Sequence, residues 1–282
     1  MTTAIEAIDH HGLQALRLTT PDGARAIVSL FGGQVLSWVP PGGREWLYVS
    51  ERACLDTRQA IRGGIPVCFP QFAARGPLPK HGFARLREWH LEDQRSASDY
   101  AQVTLSLIPS PQEEMEWPHP YRLELTVSVA ENRLDVELEV ANPGSEPLPF
   151  TAALHTYLRV DEVEEARLEG LYGHDYMDAT LDNETRRDSG DVLMVDREVD
   201  RIYRNVRGAL LLRDSGRALG IHADNFPDVV VWNPWEERCA AIGDLPRDGF
   251  RHMLCVEAAA AIDTISVPPG SEWWGRQTLV AL

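Results

Sequence analysis

Tyr121-Arg-Leu-Glu-Leu-Thr-Val-Ser-Val129 and Leu134-Asp-Val-Glu-Leu-Glu-Val140 alternate apolar and polar residues with a period of two. Successive side chains of a β-strand point to opposite faces, so each segment has one apolar and one polar face. Only the short stretch Ala130-Glu-Asn-Arg133 separates them, so the pair reads as a hairpin. Asn142-Pro-Gly-Ser145 then breaks the chain.

Moving outward, the same reading predicts strands at Arg25–Phe31, Gln34–Val39, Glu45–Val49, Gln102–Ile108, Leu210–Arg213, Val229–Trp232, Met253–Val256 and Thr278–Leu282. Turn sequences lie between them, among them Pro21-Asp-Gly23, Gly32-Gly33, Pro40-Pro-Gly-Gly43, Arg247-Asp-Gly249 and Pro268-Pro-Gly270. No segment keeps a 3.6-residue apolar spacing for more than about three turns. Many short strands joined by Gly and Pro turns predict an all-β sandwich or barrel. There is no linker, low-complexity tract or fixed repeat, so residues 1–282 read as a single domain. A chain of 282 residues can bury a large core without disulfides. Cys54, Cys68, Cys239 and Cys255 form no C-x-x-C and have no nearby His at zinc-ligand spacing, and are expected to be free thiols.

The formal net charge of -16 argues against a nucleic-acid partner. The start MTTAIEAIDHHGLQ lacks the basic and apolar regions of a signal peptide, and no apolar run is long enough for a membrane helix. A cytoplasmic protein with no membrane partner is the expectation. Two long segments resist a strand reading, Thr57–Arg87 and the charge-rich Asp161–Asp200. Long irregular loops in a compact domain are usually functional or mobile. The first contains Arg58, Arg62, Arg75, Lys80, Arg85 and Arg87 and no acidic residue. Such a cationic island on an acidic protein suits a small anionic substrate; chance clustering on a solvated loop is the alternative.

Within the island, Arg62 precedes Gly63-Gly64, and glycines allow close backbone approach to a ligand. His81 and Arg85 are four residues apart, which in extended chain places them on one side. Arg62 and Arg85 can converge on a phosphate, which the planar guanidinium binds in bidentate fashion, or each can join a surface ion pair. His155 interrupts the apolar run Phe150–Val160 and is either a core histidine or a general acid. Glu257 ends Met253-Leu-Cys-Val-Glu257 ahead of four alanines. It is either a paired structural acid or a carboxyl whose pKa burial raises into the range of a useful base. Asp200 can accept hydrogen bonds from sugar hydroxyls or pair with Arg201. Val231-Trp-Asn-Pro-Trp235 can stack on a sugar ring or pack in the core.

Taken in order, Arg62-Gly-Gly-Ile-Pro66, Phe69-Pro70, His81-Gly-Phe-Ala-Arg85, Leu154-His-Thr-Tyr157, Trp232-Asn-Pro-Trp235 and Cys255-Val-Glu257 resemble the glucose-6-phosphate 1-epimerases. These are the hexose-6-phosphate mutarotases of the aldose 1-epimerase superfamily. The resemblance runs from about Gly32 to the C-terminus. It implies a large antiparallel β-sandwich of the galactose mutarotase-like supersandwich kind, and no cofactor. It implies His155 and Glu257 as catalytic residues, Arg62 and Arg85 at the phosphate, and His81 and Asp200 near the sugar. Gln71, just after Phe69-Pro70, joins this substrate-binding set. Lys80 stands where a neutral polar residue such as Gln is expected, which adds charge beside His81.

The implied reaction interconverts the α and β anomers of a hexose 6-phosphate such as glucose 6-phosphate. A base at the anomeric hydroxyl and an acid at the ring oxygen, on opposite sides of C1, suffice. Two rival readings share these residues in part: a mutarotase of unphosphorylated aldoses, and a non-catalytic sugar-phosphate-binding protein. A polysaccharide lyase can share the architecture, but no long run of surface aromatics suits a polymer. A monomer acting on a small phosphorylated sugar is expected.

Overall fold

The computed structural model describes residues 3–110 and 117–282, and strands dominate it. An N-terminal antiparallel sheet runs in chain order: β1 (Ala4–His10), β2 (Leu13–Thr19), β3 (Arg25–Ser29) and β4 (Gln34–Val39). The eight-stranded sheet has β5 (Val67–Cys68) at one edge, followed by β10 (Leu148–Leu154), β20 (Met253–Val267), β19 (Asp228–Asn233), β16 (Val199–Arg204), β13 (Asp175–Asp178) and β14 (Glu184–Arg187). Its remaining strand, β11 (Tyr157–Arg159), also pairs with β20. The nine-stranded sheet begins with β6 (His90–Ser96), β7 (Tyr100–Leu107), β8 (Arg122–Ala130) and β9 (Arg133–Ala141). It continues through β21 (Glu272–Ala281), β18 (Arg217–Asp224), β17 (Leu210–Asp214), β12 (Arg167–Glu169) and β15 (Val192–Leu193). One core draws on all three sheets, with Leu18 and Val28, Val231 and Val256, and Val127 and Leu138 in a single packed cluster.

The hairpin expected from the alternation at 121–140 is β8–β9, closed by the two-residue turn Glu131-Asn132. Leu123 faces Val140, Leu125 faces Leu138, Val127 faces Val136 and Val129 faces Leu134, and all eight are buried. On the other face Glu124 lies opposite Glu139. Like charges across a ladder cost at most about 1 kcal/mol. Each buried aliphatic side chain contributes roughly 1.5–3 kcal/mol, so the apolar row sets the register. Arg122, 2.8 Å from Glu124, offsets part of the repulsion.

Several expectations need correction. The segment from Glu45 to Val49 is not a ladder strand; only Leu47 and Val49 form isolated bridges, to Leu158 and Gly63. Asp161–Asp200 is not an irregular loop, because it holds β12, β13, β14 and β15. These are short strands toward the sheet edges, and β14 is exposed at every position. Charge on an edge strand discourages pairing with other chains and also hides the apolar alternation. Among the strands that the alternation did not predict are β1, which has no fully buried residue, and β2, whose buried set skips alternation at Ala15-Leu16. The helical content is small, with one helix, α1 (Trp235–Ala241), and three 3-10 turns among the described residues. Among the described residues no helix is long and apolar enough to cross a membrane.

The segment 57–87 stays largely irregular and is held by close backbone approaches. Gly64 has φ +63°, and a Cβ there would lie 2.2 Å from the Val35 carbonyl oxygen. Its amide donates to the Tyr48 carbonyl (2.7 Å) and its carbonyl accepts from Tyr157 (2.9 Å). A side chain at this position must move backbone. Gly64→Ala is therefore expected to destabilise by at least the roughly 1–3 kcal/mol of a strained left-handed residue. Chemical denaturation checks this, and an unchanged midpoint contradicts it.

Candidate active site

Strand periodicity selects the residues of the site. In the eight-stranded sheet Asp200 pairs with Trp232 and Ile202 with Val230, and Trp232 pairs with Cys255 and Val230 with Glu257. These six residues share one face of β16, β19 and β20. Their neighbours Val229, Val231, Val256 and Ala258 point the other way, into the main core. One face thus serves stability and the other is free to carry polar groups.

His155 comes from a break in the same sheet. After β10 the chain leaves the ladder for two residues, and the His155 amide donates to the Pro66 carbonyl (2.9 Å). The Thr156 hydroxyl donates to the Gln277 amide oxygen, and the Gln277 amide nitrogen donates to the Val256 carbonyl (3.0 Å). The break is thereby anchored to β20. The His155 ring stacks on Tyr157 at 4.8 Å with an interplanar angle of 9° and meets His81 edge-on at 5.2 Å.

The His155 and Glu257 side chains lie side by side, with Nδ1 3.2 Å from Oε1. They do not face each other across a space as the sequence reading required. The contact lacks hydrogen-bond alignment: Nδ1 and the second carboxyl oxygen, Oε2, are buried and have no hydrogen-bond partner among the described residues. Burial pushes the Glu257 carboxyl well above its ordinary range, with Asp200 adding to the effect. Burial, then the neighbouring His81 ring and the Arg85 and Arg62 cations, hold His155 well below 6.5. Both shifts favour the neutral form of each group, with the proton that the pair can exchange on the carboxyl. Both oxygens that must exchange protons in ring opening are bonded to C1, so adjacent groups reach them as well as opposed ones do.

The loop supplies the rest of a cleft of ≈ 120 Å³. Arg62, Lys80, His81 and Arg85 line it together with His155, Asp200, Trp232 and Glu257. His81 and Arg85 do not arrive there in extended chain. His81 has φ +67°, and Arg85 lies in the 3-10 turn Ala84–Leu86. Gly82 makes the turn possible, because a Cβ would lie 2.2 Å from the Phe69 carbonyl oxygen, which accepts from Phe83 (3.0 Å) and Ala84 (3.2 Å). The Ala73 amide donates to His81 Nδ1 (3.3 Å), which fixes the ring proton on Nε2. Burial and then Arg85 and Lys80 lower the His81 pKa to about 2, so it is a neutral donor.

Of the six basic residues in the island, three reach the cleft. Arg58 pairs with Asp56, Arg75 contacts Asn183 and Arg87 lies 5.7 Å over the Phe83 ring. Arg62 is anchored, with Nε donating to Asp244 (3.1 Å) and an Nη to the Tyr157 hydroxyl (2.9 Å). Arg85 donates to the Lys80 carbonyl (2.9 Å), and its buried Nε has no hydrogen-bond partner among the described residues. Burial and Arg238 lower the Lys80 pKa, with Asp200 opposing them. Asp200 does not pair with Arg201, because neighbours on a strand face opposite ways; Arg201 turns to Asp178 (3.5 Å). Burial raises the Asp200 carboxyl.

Gln71 does not line the cleft. Its amide nitrogen donates to the Ala73 and Leu78 carbonyls (3.0 Å each), and its oxygen accepts from the Leu78 amide (3.0 Å). It closes the loop that carries Lys80 and His81. The two tryptophans divide: Trp232 lines the cleft, whereas Trp235 packs 5.2 Å from Phe250. The sequence reading gave no role to Asp244 or Tyr157 as partners of Arg62. Asp244 had no local signal, being 182 residues away in the chain. A larger cleft of ≈ 500 Å³ opens near His10, Glu45 and Arg159. Its central carboxylate, Glu45, is already bonded by Ser37 and the Trp38 and Leu47 amides, so it offers no comparable acid–base pair.

The family model described as Aldose 1-epimerase matches residues 14–279. A protein of Cenchrus ciliaris provisionally named a glucose-6-phosphate 1-epimerase is 34% identical over 281 residues, covering 96% of this chain and 85% of its own. An Escherichia coli K12 protein with the same provisional name is 32% identical over 247 residues, covering 86% and 82%. The crystal structure of a Salmonella typhimurium protein, provisionally described as a mutarotase, superposes with a TM-score of 0.89. It is 27% identical and covers 99% of this chain and 93% of that one. The galactose 1-epimerase of Lactobacillus acidophilus, at 15% identity and a TM-score of 0.76, shares the fold.

Proposed function

This chain belongs to the aldose 1-epimerase family, and we propose that it interconverts the α and β anomers of a hexose 6-phosphate such as glucose 6-phosphate. The observation that carries the reading is the meeting, in one cleft, of a buried imidazole–carboxyl pair with Arg62, Lys80 and Arg85. Sugar epimerisation follows from the family. The phosphate follows from the three cations, two of which have no carboxylate bound to them among the described residues.

Ring opening begins with the single proton of the pair on His155. The Glu257 carboxylate takes the proton of the anomeric hydroxyl, and O1 becomes a carbonyl oxygen. The C1–O5 bond breaks with its electron pair going to O5, which takes the proton from His155. The pair now holds its proton on Glu257. The C1–C2 bond rotates, and closure on the other face returns a proton from Glu257 to O1 and one from O5 to His155. The proton count of the pair is the same before and after each turnover, so no cofactor is needed. Burial favours the state that closes the ring; the state that opens it differs from it by one proton, carried on His155 in place of Glu257.

Asp200 accepts from sugar hydroxyls and the Nε2–H of His81 donates to one. Trp232 offers an apolar face to the ring. Arg85 and Lys80 hold the phosphate, with Arg62 beside them, and that remote grip keeps C1 in register with the pair. Saturation-transfer NMR on glucose 6-phosphate tests the reading: added protein is expected to speed exchange between the anomeric signals above the spontaneous rate. Tight binding without faster exchange makes the protein a sugar-phosphate binder instead. Equal catalytic efficiency on free glucose makes it a mutarotase of unphosphorylated aldoses.

A further inference from the structure

Below the acid–base pair lies a third donor that epimerisation does not use. Cys255 is two residues before Glu257 on β20 and shares its face. The ligand atoms of His155, Cys255 and Glu257 all lie within 4.8 Å of one another, and all three residues are buried. His155 Nδ1 and Glu257 Oε2 are without hydrogen-bond partners among the described residues. A tetrahedral zinc ion with bonds of about 2.0–2.3 Å sets its donors roughly 3.3–3.8 Å apart; His155 Nδ1 and Glu257 Oε1 are already 3.2 Å apart, and the whole set, within 4.8 Å, needs to close by about 1 Å at most.

We propose that His155, Cys255 and Glu257 form a reversible site for a zinc-type divalent cation, whose occupancy shuts the sugar site. Thiolate, imidazole and carboxylate are the donors of zinc and cobalt, and magnesium or calcium would shun the sulfur. On binding, the thiol and the carboxyl each give up a proton and the ion takes their place. A cation held by the acid–base pair removes both groups from proton transfer, so inhibition is competitive with sugar. This last step rests on the proposed epimerase reading; the binding itself does not.

Cobalt(II) titration of the whole protein, followed by absorption, tests the site without an activity assay. A single ion is expected to bind with the near-ultraviolet charge-transfer band of a thiolate ligand. Zinc and glucose 6-phosphate should each abolish the band. Cys255→Ala is expected to lose the band, to keep its anomer exchange, and to weaken zinc inhibition by roughly 100-fold or more, because loss of a direct ligand exceeds the 10–100-fold of an outer partner. A wild-type protein without the band, or a band that persists in Cys255→Ala, overturns the site. Should that variant fold poorly, His155→Ala serves in its place: cobalt binding in that variant as tight as in the wild type overturns the site equally. If the band behaves as expected but no anomer exchange exists to inhibit, the cation site stands and the epimerase reading falls.

Discussion

Glu257→Gln and His155→Ala should each slow anomer exchange of glucose 6-phosphate by about 10²–10⁴-fold, the range for one positioned acid or base. Glutamine keeps the shape of the buried side chain but cannot take the anomeric proton. Alanine removes the imidazole that serves O5. The two act on one proton that passes between them, so the double variant should lose far less than the product of the single losses. The effect should fall on kcat, because neither group grips the phosphate. NMR exchange rates at saturating sugar, with circular dichroism to confirm the fold, are the measurement. Two folded variants with undiminished rates would remove the pair from the reaction, even though His155 and Glu257 are 3.2 Å apart.

Arg85→Ala should separate phosphorylated from free sugar. Hydrogen bonds to charged groups contribute roughly 1.5–3 kcal/mol, so kcat/KM for glucose 6-phosphate should fall about 10- to 150-fold. Activity on free glucose should stay near its starting value. Arg85 is the sharper choice because Arg62 is also tied to Asp244 and Tyr157. Removing Arg62 strips a partner from a part-buried carboxylate, so its loss mixes binding with stability. Lys80→Gln, which leaves a neutral side chain beside His81, should produce a smaller loss of the same kind. An equal fall on both sugars would show that Arg85 shapes the loop and does not read the phosphate.

Much of the architecture was legible because burial on one side of a strand writes itself into the sequence. The alternation at 121–129 and 134–140 fixed the hairpin and its register, as the pairing of Val127 with Val136 confirms. The all-β class followed from repeating that pattern along the chain. It failed at β1, which is barely buried, and between β12 and β15, where edge strands carry charge for solubility. Of the site residues named in advance, the cleft brings together Arg62, His81, Arg85, His155, Asp200 and Glu257, along with Lys80. Gln71 instead holds the loop, a role that no local pattern distinguishes from ligand binding.

The sequence by itself determined which residues could carry charge and protons, and that a strand-built scaffold would present them. Residue type and short-range periodicity are local properties, so they can be read without coordinates. Only the tertiary structure decided which of those groups meet. A loop residue, Arg62, reaches Asp244 across 182 positions, and His155 comes to rest beside Glu257 and Cys255 because a break after β10 lies against β20. Proximity across a fold depends on how the sheets pack, and so do the desolvation and the proton affinities that follow from it.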